Sequence, residues 1–251
     1  MDSRLLTALF AGAAVLLGAP PLLAADRSPF GLEVEGGAAW LSRNDVRIPG
    51  DSGTRFDLLD VVDSGPYGFY RIYADWDLNR RHGLRLGVAP LEVSSTGSLG
   101  KEVRFAGTTF EPGRTEATYR FSTYRLTYRY TFASGPRSVW RIGFTGLVRD
   151  AKIQLEQDGR SARDSNVGFV PLLHLHGRHG FAPGWDFVLD FDGLAAPQGR
   201  ALDLGLKVMR DVGDNWQVGL GYRALEGGVD NDEVYNFAWL HYGFASVAYR
   251  F

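Results

Sequence analysis

The chain has 251 residues, a formal net charge of −2 and no cysteine. This length accommodates one β-barrel or one to two ordinary domains. A net charge so close to zero excludes a general role in binding nucleic acid. The lack of cysteine excludes disulfide bonds, thiolate metal sites and a lipidated N-terminal cysteine. Arginine supplies most of the 27 basic residues, which suits fixed, forked pairing with carboxylates.

The first 25 residues have the pattern of a secretory signal peptide. Arg4 supplies the positive charge, residues 5–17 form the apolar stretch, and residues 23–25 offer a small-residue cleavage site. A membrane anchor is disfavoured because the apolar run is short for a spanning helix. The sequence therefore predicts two parts, a signal peptide at 1–25 and an exported mature chain at 26–251 with no transmembrane helix.

The mature chain alternates between apolar and polar residues, which is the period-two pattern of β-strands. Ten strands are predicted, at residues 30–41, 67–78, 83–93, 115–132, 139–155, 167–178, 185–192, 201–210, from 216 onward, and 235–251. Within 115–132 the apolar residues are odd-numbered at first, as at Tyr119, and even-numbered later, as at Tyr124. A β-bulge near Ser122 and Thr123 is the expected cause.

The predicted connections alternate in length. Tight turns fall at residues 79–82, 133–138, 183–184 and 213–215, whereas the connections at 42–65 and 94–114 are long and polar. The connection at 156–165 is also predicted to be a loop. Because the strands alternate in direction, an even number of them places the tight turns and both chain ends on one side.

Aromatic residues collect at the ends of the predicted strands. Those beside the tight turns and the chain end are Trp76, Trp140, Trp185, Trp216, Tyr249 and Phe251. Trp40, Tyr222 and Tyr235 mark the opposite rim. Two aromatic belts are expected where amphipathic rings meet lipid headgroups, whereas a soluble β-sandwich has no reason to sort its tryptophans in this way.

The last strand, YNFAWLHYGFASVAYRF, is long, rich in aromatic residues and ends on Phe251. It resembles the C-terminal strand of bacterial outer-membrane β-barrel proteins, whose terminal aromatic residue is part of the signal read by the barrel-insertion machinery. The resemblance implies an all-β, transmembrane, up-and-down antiparallel barrel of about ten strands in the outer membrane. It also implies a monomer in contact with outer-membrane lipid and lipopolysaccharide. The alternative is an ordinary edge strand of a soluble sheet.

In such a barrel the apolar face meets lipid and the polar face meets the lumen. Hairpin register predicts ion pairs across the lumen: Asp203 directly across from Arg223, Asp75 or Asp77 across from Arg85, and Asp186 across from Arg178. A paired network of this kind would close the interior, and we favour it over an open pore.

The candidate catalytic residues are His174 and His176, which face Asp190 and Asp192 in one hairpin. An imidazole oriented by aspartate can act as a general base. Ten-stranded barrels include the omptin proteases, which use aspartates and a histidine. The chain is similar to them only in strand number and residue types, and it lacks the His-x-Ser pattern of the lipid A deacylase barrels. It has no G-x-S-x-G, no P-loop and no metal triad, so we assign no catalytic residue, cofactor or metal.

Two functions remain open from the sequence. The first is a non-enzymatic barrel that serves surface interaction, envelope integrity or limited passage of small solutes. The second is a hydrolase that acts on lipid or peptide through His174 and Asp190. A catalytic set should open to the outer rim, whereas a structural set should lie mid-barrel with its charges paired.

Overall fold

The computed structural model describes residues 28–197 and 199–251. The signal peptide predicted at residues 1–25 lies outside this part of the chain. Within the described ranges, no helix is long and apolar enough to cross a membrane.

Fourteen β-strands and one short 3₁₀ helix are present in this described part of the chain. The strands are β1 (Phe30–Arg47), β2 (Phe56–Asp57), β3 (Tyr67–Asp77), β4 (His82–Ala89), β5 (Glu92–Leu99), β6 (Val103–Phe105), β7 (Thr108–Phe110), β8 (Gly113–Ser134), β9 (Ser138–Gln157), β10 (Arg160–Ala182), β11 (Trp185–Ala196), β12 (Gly199–Val212), β13 (Trp216–Asp230) and β14 (Tyr235–Arg250). The 3₁₀ helix covers Leu58–Asp60, between β2 and β3.

The main sheet closes into a barrel because β14 pairs with β13 on one side and with β1 on the other. Ten positions around the wall are filled by β1, β3, β4 and β8 to β14, and β5 continues the β4 position against β8. All neighbouring strands are antiparallel. The predicted all-β, up-and-down antiparallel barrel of about ten strands is confirmed.

The two ends of the barrel differ. At one end, which we call the short-turn end, tight turns join β3 to β4, β8 to β9, β10 to β11 and β12 to β13. Both ends of the described chain lie there, since the Phe251 N–H donates to the Phe30 carbonyl at 3.2 Å. The opposite end carries two long connections, at residues 48–66 and 100–112, beside short ones at 158–159 and 231–234, and we call it the long-loop end.

Several segments predicted as polar loops are strands instead. β1 continues to Arg47, β5 extends into the segment expected to be a loop at 94–114, and β10 already begins at Arg160. These predictions were wrong because backbone hydrogen bonds hold a ladder together whether or not its side chains alternate in polarity. Residues 92–99 pair with β8 throughout, although most of their side chains are small or polar.

The β-bulge predicted near Ser122 and Thr123 is also wrong. The ladder between β8 and β9 runs through both residues without a shift, and the observed irregularity lies between Thr131 and Ala133. Odd-numbered residues of β8 from Thr115 to Arg129 face the interior: Tyr119 is buried, and so is Arg125. The apparent change of phase arises because the interior changes from apolar to charged along the strand.

An apolar cluster fills the barrel at the long-loop end. Loop residues Leu58, Val103, Phe105 and Phe110 are fully buried there. We call this cluster the capping core, and its largest fully buried members are Leu41, Val46, Leu58, Val61, Val62, Phe105, Phe110, Tyr119, Leu155 and Leu240. The long loops are therefore folded into the barrel and do not lie loosely above it.

The outward face of the barrel is an apolar band. Leu86, Phe144, Phe169 and Leu220 are 57, 66, 69 and 72% exposed. Soluble monomers rarely expose continuous apolar surface on this scale, whereas a membrane barrel directs such a band at lipid. Towards the long-loop end the outward side chains become charged, as at Arg120, where the apolar band ends.

Candidate functional site

The charged interior is organised around Asp203 on β12. Arg223 donates to Oδ1 from Nη1 at 2.6 Å, while Oδ2 accepts from Nη2 of Arg125 at 2.6 Å and from Nη1 of Arg71 at 3.4 Å. All four side chains are buried. One carboxylate therefore meets three guanidinium groups contributed by three other strands.

The register of this hairpin differs from the prediction. Asp203 lies opposite Leu225, and Arg223 lies opposite Gly205, so the two charged residues are not directly across the ladder. The reason is the length of the turn: three residues separate Val212 from Trp216, and the partner of Asp203 is two residues further along than predicted. The ion pair forms on the diagonal instead.

A second centre is Arg85 on β4. Its Nε lies 3.1 Å from Asp75, its Nη1 lies 2.7 Å from Asp190, and its Nη2 lies 2.9 Å from Glu33. Asp75 is directly opposite Arg85 in the ladder and also accepts from Arg129. The guanidinium thus links carboxylates from three strands across the lumen.

The other aspartates of the predicted pairs lie nearer the short-turn end. Asp77 faces Gly83 rather than Arg85, and it contacts Arg250 and, at 3.4 Å, Arg141. Asp186 lies opposite Gly180 and accepts from Arg178 on the diagonal. Both aspartates remain paired, and the glycine opposite each of them leaves room for its side chain.

The two candidate histidines lie directly opposite the two aspartates. His174 faces Asp192, with Nδ1 2.9 Å from Oδ1, and His176 faces Asp190. Thr145 donates to the same Oδ1 of Asp192 at 2.7 Å. Sequence reasoning did not select Thr145, because a hydroxyl on a charged strand face gives no distinct signal.

The surroundings of His174 limit what it can do. His174, Asp190 and Asp192 are buried in mid-barrel, and the His174 Nε2 atom has no hydrogen-bond partner among the described residues. The neighbouring cavity measures about 10 Å³, which is the space of roughly one water molecule. The aspartates can orient the imidazole, but a lipid or peptide substrate does not fit beside it.

A large cavity lies at the short-turn end. It measures about 1100 Å³, and we call it the vestibule. Its lining includes Asp75, Arg129, Arg141, His176, Arg178 and Lys207. Within residues 28–197 and 199–251, no group of three or more His, Cys, Asp or Glu side chains is arranged to hold a metal ion.

The predicted aromatic residues lie at the strand ends beside the tight turns. Trp76 stacks on Phe30 with ring centroids 5.8 Å apart, and Trp216 lies 4.6 Å from Tyr249. Tyr249 also contacts the ring of Phe251. Trp140 and Trp185 begin the strands β9 and β11. These rings surround the short-turn end, as an interfacial belt would.

Comparison with known proteins gives structural matches only. No protein-family model matches the chain, and no curated protein matches it in sequence. The outer-membrane protease OmpT from Escherichia coli has 11% identity and a TM-score of 0.54, covering 91% of this chain and 99% of that one. Neisserial surface protein A has 13% identity and a TM-score of 0.39, covering 90% of this chain and 100% of that one.

A third match is Ail of Yersinia pestis, solved with the heparin analogue sucrose octasulfate. It has 10% identity and a TM-score of 0.38, and covers 88% of this chain and 99% of that one. At such low identities the comparison with OmpT shows a common fold and nothing about activity. The described chain has the fold of the small bacterial outer-membrane β-barrels.

Proposed function

We propose that the protein is a closed, non-enzymatic outer-membrane barrel that presents its long-loop end for contacts at the cell surface. The observation that carries this proposal is the filling of the barrel interior at two successive levels. The charged network around Asp203 and Arg85 fills the middle of the barrel. The capping core fills the long-loop end.

The charged level supports closure because its groups are bonded to each other. A solute that passed through would have to displace pairs such as Arg125–Asp203 and Arg85–Asp190. Breaking a buried pair exposes an uncompensated charge and costs roughly 3–5 kcal/mol where the pair is fully desolvated. Continuous passage of ions through such a network is therefore unfavourable.

The capping core supports a role in surface interaction. Phe105 and Phe110 belong to the hairpin β6–β7, and Phe105 packs edge-to-face against Phe56 at 6.2 Å. Loops fixed in this way form a surface of constant shape. A preformed surface costs little conformational entropy when it binds a partner. We therefore favour surface interaction over small-solute passage.

The location and partners belong to the same proposal. The signal-peptide pattern at residues 1–25 supports export, and the asymmetry of turns and loops supports a short-turn end that faces the periplasm. The apolar band would contact outer-membrane lipid and lipopolysaccharide. The strand that ends at Phe251 would be read by the barrel-insertion machinery. Closure of β14 on β1 supports a monomer.

Conductance in planar bilayers tests the proposal. We expect the parent protein to show no large steady conductance. Replacing the hairpin residues 101–111 by a short Gly-Ser linker removes part of the capping core only, so that variant should stay closed. Combining the linker with Asp203→Ala and Arg223→Ala should open the barrel. A large steady current through the parent would contradict the proposal and favour transport.

The second candidate function is hydrolysis. It is favoured by the His174–Asp192 contact at 2.9 Å and by the common fold with a protein described as a protease. It is disfavoured by the burial of the pair and by the cavity of about 10 Å³ beside it. We expect the parent to cleave neither lipid nor peptide substrates. A cleavage activity that folded His174→Ala or Asp190→Ala variants lose would favour the hydrolase.

A further inference from the structure

Three cationic or potentially cationic side chains border the vestibule from adjacent strands. Arg129 lies on β8, Arg141 on β9 and His176 on β10. Arg141 and His176 are directly opposite in the β9–β10 ladder, and Arg129 is diagonal to Arg141, since Thr131 is the ladder partner of Arg141. Side chains in such positions are close enough to bind one small group together. We call these three residues the vestibule cluster.

The carboxylates near this cluster are shared. Asp75 accepts from both Arg85 and Arg129, and Asp77 is within ion-pair distance of both Arg141 and Arg250. The contact of Arg141 is the loosest of these, at 3.4 Å. Arg129 and Arg141 therefore share their carboxylate partners with Arg85 and Arg250, and a third carboxylate, Asp190, lies opposite His176 and binds Arg85.

Two polar atoms of the cluster have no partner. The Nε of Arg129 and the Nδ1 of His176 are buried, and neither makes a hydrogen bond to any residue that the structure describes. Arg129 as a whole is only 2% exposed. A buried polar atom without a partner is unfavourable, and in folded proteins most such atoms bind protein, water or ligand. Here these two atoms belong to side chains that line a cavity of about 1100 Å³.

We propose that the vestibule cluster binds a phosphate group that enters from the short-turn end. Two guanidinium groups and an imidazole match an oxyanion with three acceptor oxygens and more than one negative charge, because arginine donates in a planar fork. The walls remove the site from bulk water, which strengthens each contact. The phosphate can come from a soluble compound or from a lipid headgroup, since the aromatic rings of Trp216 and Tyr249, which are suited to a lipid interface, line the vestibule.

Titration calorimetry of the full-length mature barrel in a neutral maltoside detergent tests this proposal, with inorganic phosphate as the probe. We expect saturable binding of one phosphate per barrel. Arg141→Gln and His176→Gln should each weaken it at least tenfold. Arg80→Gln makes the same charge change as Arg141→Gln in the turn between β3 and β4, outside the vestibule lining, and should leave the affinity unchanged. Equal affinity in all four proteins would overturn the proposal.

A second measurement does not depend on the variants folding. The imidazole resonances of His176 in the parent protein should shift on addition of inorganic phosphate if the source is soluble. They should shift only in bicelles containing phosphatidylglycerol, and not in detergent with free phosphate, if the source is a lipid headgroup. Either shift supports the site. Resonances unchanged by both additions would overturn it.

Discussion

Arg223 reaches Asp203 across the diagonal of the β12–β13 ladder, with Nη1 2.6 Å from Oδ1, because the residue directly opposite Arg223 is Gly205. A Cβ atom at position 205 would lie 2.8 Å from Nη2 of Arg223. The missing side chain of this glycine is therefore what gives the guanidinium group its path to the carboxylate.

We expect Gly205→Ala to destabilise the barrel by about 1–3 kcal/mol, since the added methyl group forces the guanidinium away from Asp203. Gly227→Ala is the matched control, because the nearest atom to its Cβ would be 3.9 Å away. Urea unfolding in lipid vesicles measures both changes. Equal stability of the two variants would show that Gly205 has no special role.

Asp203→Ala should cost more stability than Arg223→Ala. The first change leaves three buried arginines without this carboxylate, whereas the second leaves Asp203 with Arg125 and Arg71. Loss of one partner from a buried pair costs roughly 3–5 kcal/mol if the pair is fully desolvated. The double variant should lose less stability than the sum of the two single losses, because each single variant already removes the Asp203–Arg223 contact.

The same unfolding experiment checks this second prediction. Asp214→Ala, in the exposed turn between β12 and β13, is the control and should change the stability by less than about 0.5 kcal/mol. Strictly additive losses for Asp203 and Arg223 would mean that the pair does not couple in the folded barrel.

The pKa of the Glu92 carboxyl, on the outward charged surface at the long-loop end, is below its ordinary value because Arg120 donates a hydrogen bond to it. A depressed pKa contributes stability above the ordinary pKa, and this contribution is lost as the pH falls through the folded-state value. Carboxyl-carbon NMR titration should show the depressed pKa in the parent. Arg120→Gln should raise it, and a pKa unchanged by that substitution would contradict the contact.

Epitope tags test the orientation of the barrel. A tag between Asp158 and Gly159, at the exposed tip of the β9–β10 hairpin, should be cut by protease added to intact cells. A tag between Gly213 and Asp214, at the short-turn end, should be cut only after the outer membrane is permeabilised. The reverse pattern would show that the long-loop end faces the periplasm.

Much of the architecture could be predicted from the alternation of apolar and polar residues along the chain. The predicted strand at 185–192 lies within β11, and the tight turn at 213–215 joins β12 to β13. Alternation works here because one face of each strand meets an apolar surrounding and the other a polar interior. It failed along β8, where Tyr119 and Arg125 both face inward. A polar–apolar alternation identifies the inward face only if that face has the same polarity along the whole strand. The inward face of β8 is apolar at Tyr119 and charged at Arg125, so the alternation changes phase although the strand does not.

The sequence by itself determined the class of fold and the presence of charged residues on the inner strand faces. Only the tertiary structure decided which charges meet, because a three-residue turn moved Arg223 from Asp203 to Gly205 in the ladder. It also decided that the loops at residues 48–66 and 100–112 form a core. Their apolar residues are buried against each other, as Phe56 and Phe105 are, and against wall residues such as Leu240, which lies far away in the chain.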